Sequence, residues 1–405
     1  MKLTLFGGIT GFDKSDFLTT FTRKCLEKHE YPSRITDPDS RSFIHYIKFE
    51  DVLIDETGSV DIPRFLAKPS FQDKIDDIER TYVRIGNQIE EVDAEHVFLD
   101  IHFSCLYHNQ YFPPLYQSNL NELAPSSDDE IKVVTLIDDV YNIWNNVRKR
   151  EVEFPRTRLR LREILSWRSV ELLQAEAVAH NYTMEATRVS NYLFSVRHPF
   201  VSLYNLVFSD DPVCMYLSFP ITRTRNLPDR VADINSFRQS MYKLAEELGV
   251  VIFDPVTIDE LALVNARLDG ENRILSTDNR WPLETEIMLP EPDWPIVIPD
   301  NEVQEAKIDI MNDVRPRDFK LIDNSIFTTV YRKNFGGPSE GVREEIRYTI
   351  SRGKRAYVYD PIDDSDTGEP HPFDPDEDGS RDIDEFYDKI RKGVDFLRAR
   401  RRRIM

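Results

Sequence analysis

Long apolar runs are missing from this chain. No stretch approaches bilayer-spanning length, and the N-terminus enters a strand-like segment, Lys2-Leu3-Thr4-Leu5-Phe6, with no signal-peptide pattern. No membrane partner is expected. Cysteine is scarce: Cys25, Cys105 and Cys214 are scattered and form no CxxC pair. A disulfide framework is thereby excluded, and a reducing cytoplasm is the expected setting. Basic residues are in deficit, 52 against 72 acidic ones among 405, for a formal net charge of −20. That balance argues against general nucleic-acid binding and for a soluble protein. One exception closes the chain, Arg398-Ala399-Arg400-Arg401-Arg402-Arg403. This tail ends a helical pattern carrying Ile390, Val394 and Leu397, and it suits the protein's own acidic surface or a partner subunit as well as nucleic acid. His102 and His108 have no companion ligands, so no metal site is expected.

What is present is an α/β pattern used twice. At 40% hydrophobic the chain can bury real cores, and its length argues for two domains. Lys2 to Phe6, His96 to Asp100, Ile131 to Ile137 and Tyr192 to Val196 read as buried strands separated by helical stretches. After a break at Ser209-Asp210-Asp211-Pro212 the scheme restarts with Val213 to Phe219. A helix from about Arg230 to Leu248 and a strand from Val250 to Phe253 follow. Strands alternating with helices imply parallel sheets covered on both faces. The expected division is 1–208, then 213–360 with an irregular proline-rich insertion at 256–314, then 361–405 as an acidic loop and C-terminal helix.

Two segments carry chemistry. Gly8-Ile9-Thr10-Gly11-Phe12-Asp13-Lys14-Ser15 lies between a strand and a helix, where a phosphate-cradling loop belongs. Its amides would hold phosphates, Lys14 would reach them and Ser15 would ligate magnesium. Asp13, however, stands where the motif wants glycine, adding a negative charge and a Cβ. The second segment is Pro338-Ser339-Glu340-Gly341-Val342-Arg343-Glu344-Glu345, after the strand-like run Ile326 to Tyr331. A serine at a helix start beside a glycine makes an oxyanion seat, and a carboxylate further into the helix sits beside whatever the anion is attached to. The same residues also suit an ordinary N-capped surface helix.

The first half resembles the archaeal-type adenylate kinase family of P-loop nucleotide kinases. The likeness is carried by Gly8, Gly11, Lys14, Ser15, the strand ending Asp100-Ile101-His102, and Tyr111, Pro113 and Leu115, while Asp13, Gln110 and Pro114 replace family glycines. It implies nucleotide binding at Gly8, Gly11, Lys14, Ser15, Asp100 and His102, with ATP and magnesium as ligands of the loop. Arg148, Arg150, Arg156, Arg158, Arg160 and Arg162 match that family's phosphate clamps, and equally an exposed basic helix face.

Residues 213–360 resemble the nucleoside 2-deoxyribosyltransferase family, which includes hydrolases of deoxynucleoside 5′-monophosphates. The matching places are Tyr216-Leu217-Ser218-Phe219-Pro220, Asp318 before a later strand, the PSxGVxxE segment from Pro338 to Glu345, and Gly353-Lys354. This implies a flavodoxin-like parallel sheet, an oligomer whose neighbouring subunits complete the sites, and a substrate pocket at Tyr216, Ser218, Pro220, Ser339 and Gly341. Cleavage of an N-glycosidic bond builds positive charge on the sugar, so a carboxylate below C1′ is needed, and Glu345 is the candidate. Glu344 is turned about 100° away and is expected to face solvent. Asp318 is the candidate proton donor to the leaving base, or alternatively a helix N-cap. Ser339, where transferases of free nucleosides carry Asp, favours a 5′-monophosphate, with Arg223 and Arg225 adding charge-assisted bonds. No cofactor is required for that step. Ile326 stands where the family often has Asp. The expectation is therefore an N-glycosidase or deoxyribosyltransferase-like enzyme acting on a small nucleotide. The rivals are a nucleotide kinase with a nucleotide-binding second half and a non-enzymatic nucleotide sensor.

Asp374 to Glu385 has the spacing of a twelve-residue calcium loop, but Pro370 and Pro372 forbid the preceding helix and Arg381 occupies a position that wants an apolar side chain.

Overall fold

The structure is a computed structural model that describes the whole chain except residues 12, 30–42, 93, 108–109, 116, 124–129, 151–158, 184–187, 223, 283–291, 334–338, 362–372 and 402–405. It divides into two compact α/β units. The first comprises residues 1–196, 268–273 and 288–309, and the second 197–267, 274–287 and 310–405.

In the first unit, β1 (Lys2–Gly7), β2 (Ile44–Lys48), β3 (His96–Asp100), β4 (Glu130–Ile137) and β5 (Arg188–Ser195) form a parallel sheet in the order β2-β3-β1-β4-β5. β1, β3 and β4 are buried almost throughout, which is why they read as continuous apolar runs rather than alternating ones. Helix α1 (Lys14–Lys28) buries Phe17, Leu18, Phe21 and Cys25. Phe21 stacks on Phe98, with Phe6 edge-on to both. Helix α2 (Leu161–Thr183) contributes Ala175, Val178 and Ala179 to a core cluster with Leu3, Leu5, Val97 and Leu99.

In the second unit, β6 (Cys214–Ser218), β7 (Val251–Phe253), β8 (Phe327–Tyr331), β9 (Arg355–Tyr359) and β10 (Glu377–Ser380) form a parallel sheet in the order β10-β9-β8-β6-β7. Numbered within the unit, that is the flavodoxin-like order 2-1-3-4-5, with its topological switch between β6 and β8. Helices α3 (Pro228–Leu248), α5 (Glu340–Ser351) and α6 (Ile383–Arg401) belong to this unit, as does α4 (Asp300–Asn324) from Ile310 onward. α5 lays Val342 and Ile346 on Val330, Ala356 and Val358. α6 buries Phe386, Ile390 and Val394 in the main core of the unit. Among the described residues no helix is long and apolar enough to cross a membrane.

Three expectations are corrected. The stretch 256–314 is not irregular: Arg267–Asp269, Asn272–Leu275 and Ile296–Pro299 form a small sheet, and α4 already begins at Asp300. Pro316 and Asp318 both lie inside that helix. Asp318 consequently does not open a helix, and its N-cap reading falls away. Finally, part of the calcium-loop pattern is edge strand β10, where Glu377 puts both carboxylate oxygens on Arg332, at 3.1 and 2.9 Å.

Candidate active site

Alternation along β6 puts Tyr216 and Ser218 on the same face, and Glu345 of α5 meets both. The Tyr216 hydroxyl donates to Glu345 Oε1 at 3.2 Å and the Ser218 hydroxyl to Oε2 at 2.5 Å. Both donors are fully buried. On its main-chain side, Glu345 offers its carbonyl to the Thr349 hydroxyl, which also bonds Thr328 of β8. Glu345 is thus tied to β6 through its carboxylate and to β8 through its carbonyl and Thr349, at the switch point where doubly wound sheets bind their ligands.

A cavity of about 450 Å3 opens there, lined among others by Phe219, Asp318, Ser339, Gly341, Glu344 and Glu345. That volume suits a small organic ligand. Ser339 is the N-cap residue of α5, and its hydroxyl makes no capping hydrogen bond. Burial pushes the Glu345 carboxyl above the ordinary glutamate range, and the negative charge of Asp318 adds to the rise. The Ser218 and Tyr216 hydroxyls oppose it by hydrogen bonding the ionised form. Asp318 is also raised, chiefly by burial, against the pull of the Arg317 guanidinium 3.1 Å away. The two carboxyls therefore titrate as a pair. Tyr216 is held well above the usual phenol value, first by burial and then by the two acids, so it stays a neutral donor.

Several expected contacts are placed differently. Tyr216 and Ser218 are not among the cavity-lining residues; they reach it only through Glu345. The Pro220 carbonyl is taken by the Thr224 hydroxyl. Arg225 is committed to both oxygens of Asp259 and to the Asn279 carbonyl, so it is a structural cation and not a phosphate ligand. Arg223 lies outside the described residues. Glu344 is not turned to solvent alone: it lines the cavity and pairs with Arg315. Sequence reasoning missed Arg315, Arg317 and Glu260, which also line the cavity, Arg317 standing 3.5 Å from Glu260. Adjacency to Asp318 was an available signal for Arg317. Glu260 offered none, because it comes from a distant loop.

In the first unit Gly8, Lys14, Ser15, Asp100 and His102 meet at the carboxyl ends of β1 and β3. Lys14 and Asp100 form a buried ion pair at 2.9 Å, and the Lys14 ammonium also donates to the Ile101 carbonyl. Asp100 further accepts from the Ser15 and Tyr46 hydroxyls, both at 3.0 Å. His102 Nδ1 meets the Gly8 carbonyl at 2.5 Å, and its Nε2 lies 3.4 Å from Glu50. Glu50 is held down at about 2, the His102 ring and the Lys14 charge outweighing burial. The fully buried Glu171 of α2 accepts from the amides of Gly8, Phe103 and Ser104 at 2.7, 2.9 and 2.5 Å. With its lysine paired and an amide already holding a carboxylate, the loop as arranged does not fit a bound triphosphate.

The arginine series is also accounted for in part. Arg148 pairs with Glu302, Arg160 with Glu305 and Arg162 with Asp309, all within the first unit. Arg156 and Arg158 lie outside the described residues, as does His108. At the C-terminus Arg391 pairs with Glu247, and Arg398 donates to the Leu248 carbonyl at the end of α3. Among the described residues no group of three or more His, Cys, Asp or Glu side chains is arranged to hold a metal ion.

No family model matches the sequence. No curated protein matches it either. A solved structure from the PezAT chromosomal toxin–antitoxin system of Streptococcus pneumoniae is similar over 47% of this chain and 67% of its own, with 9% identity and a TM-score of 0.28.

Proposed function

We propose that the second unit cleaves the N-glycosidic bond of a nucleoside 5′-monophosphate, passing the sugar to water or to another base. Glu345 is the nucleophile and Asp318 the proton donor. The observation that carries this reading is the Glu345–Asp318 pair in one cavity, its nucleophile tied by two hydroxyls to the strand at the switch point. As the bond breaks, its electron pair leaves with the base, Asp318 supplies the proton that base needs, and Glu345 bonds to C1′. Attack of the acceptor on C1′, its proton passing to the now ionised Asp318, then frees Glu345, as in retaining glycosidases. Both carboxyls are raised, Glu345 to about 8 and Asp318 to about 6, so these roles require the proton that the pair holds on Glu345 to pass to Asp318 when substrate binds.

The phosphate part of the reading rests on Ser339 and the N-terminus of α5, and no longer on Arg225. The kinase rival loses support because Lys14 is spent on Asp100 and Ile101.

The test is incubation with a panel of ribo- and deoxynucleoside 5′-monophosphates and free nucleosides, with free base read by chromatography. Base release abolished by Glu345→Gln, with the fold intact by circular dichroism, is the expected outcome. No release from any substrate by the wild-type protein would sink the proposal.

A further inference from the structure

Ser218 was grouped with the substrate contacts, yet its side chain is fully buried, it does not line the cavity, and its hydroxyl is spent on Glu345 Oε2. A serine in that position cannot read a ligand directly. We propose that Ser218 is a positioning residue: its hydroxyl hydrogen bond favours the ionised form of the Glu345 carboxyl against its buried surroundings and fixes which oxygen faces the cavity. The inference rests on the glycosidic reading for its consequence, but not for its geometry.

The argument starts from what surrounds Glu345. Burial disfavours its charge most, and Asp318 and then Glu344 add negative charge from α4 and α5. Arg317 stands beside Asp318, and Arg315 pairs with Glu344, so the nearby cations are engaged by other acids. What favours the carboxylate directly is the pair of hydroxyls from β6. A hydroxyl donor bonds the ionised form more strongly than the neutral one. Of the two, Ser218 at 2.5 Å is closer than Tyr216 at 3.2 Å, and its short side chain is held on a buried strand, so it has few alternative rotamers. The nucleophile is thereby anchored to the backbone of β6 and kept from swinging toward Asp318.

Ser218→Ala and Ser218→Thr separate this role from a merely structural one. The first readout is an NMR titration of the Glu345 side-chain carboxyl, identified by its loss in Glu345→Gln. The second is the pH profile of kcat/KM for the monophosphate that wild type cleaves fastest. In Ser218→Ala the carboxyl should titrate about one pH unit higher, and the acid limb should move up with it, a roughly tenfold loss at fixed acidic pH. KM should change little, and Ser218→Thr should restore the wild-type profile. An unchanged titration in a folded Ser218→Ala protein overturns the inference, whatever the activity. If wild type releases no base, the glycosidic reading fails while the NMR titration still decides the role of Ser218.

Discussion

Glu345 and Asp318 share a cavity in which neither carboxyl ionises as readily as in water, and the two groups answer to different neighbours. The acid limb of base release should therefore lie above the ordinary carboxylate range of about 4. Because the charge of Asp318 raises Glu345, Asp318→Asn removes that push and the acid limb should shift downward, opposite to the shift of Ser218→Ala. Loss of the proton donor should also lower kcat by about 10²–10⁴-fold for poor leaving bases. A pH–rate series on both variants checks the two signs. Arg315 bears on substrate choice: it is well exposed at the cavity and its pairing with Glu344 is open to exchange. Arg315→Ala should weaken kcat/KM for the 5′-monophosphate by about tenfold and leave the free nucleoside within about twofold, the scale of one charge-assisted bond. Equal losses on both substrates would remove it from phosphate recognition. Of these residues, Glu345, Asp318 and Ser339 were legible from motif spacing, although only Ser339 sits at an element boundary, Asp318 lying inside α4 and Glu345 inside α5. Arg225 misled, since a cation two residues from a motif says nothing about which acid will claim it.

Elements were legible where burial makes the pattern one-sided. β1, β3, β6, β8 and β9 are apolar runs bounded by polar or helical sequence, and α3 and α5 carry their buried residues at helical spacing. β10 was hidden because its sequence, Glu-Asp-Gly-Ser, has no strand propensity; it is held by pairing to β9 and by the bond of Glu377 to Arg332. α4 was hidden by Pro316, which tertiary context tolerates against its propensity. The packing of α6 on β9 gives a test at this scale. A Cβ at Gly393 would stand 2.1 Å from the Tyr357 hydroxyl oxygen, and Tyr357 is buried. In an exposed helix Gly→Ala gains about 1 kcal/mol. Here overpacking should outweigh that gain, and Gly393→Ala should destabilise by about 1–3 kcal/mol in urea unfolding.

At the scale of the whole molecule, each unit brings candidate residues to the carboxyl ends of a five-stranded parallel sheet, and the two ends are in different chemical states. The order of the strands, which decides where each switch point falls, was not legible from local pattern, because it depends on pairings between segments far apart in sequence. In the second unit the end of the sheet is an open cavity holding an under-neutralised acid pair. In the first, Lys14 and Asp100 satisfy each other and Glu171 occupies the Gly8 amide. A nucleotide phosphate would have to displace a buried ion pair before gaining anything from Lys14, and separating such a pair costs several kcal/mol. Base release should therefore be the same with and without ATP and magnesium. Lys14→Ala should act on stability instead: it leaves Asp100 with only hydroxyl donors from Ser15 and Tyr46, and should cost about 3 kcal/mol in denaturant unfolding. Thermal melts of wild type and Lys14→Ala with millimolar ATP and magnesium decide the matter. A nucleotide-dependent rise in the wild-type midpoint that Lys14→Ala abolishes would return phosphate binding to the first unit; equal midpoints with and without nucleotide leave Lys14 as a buried structural cation.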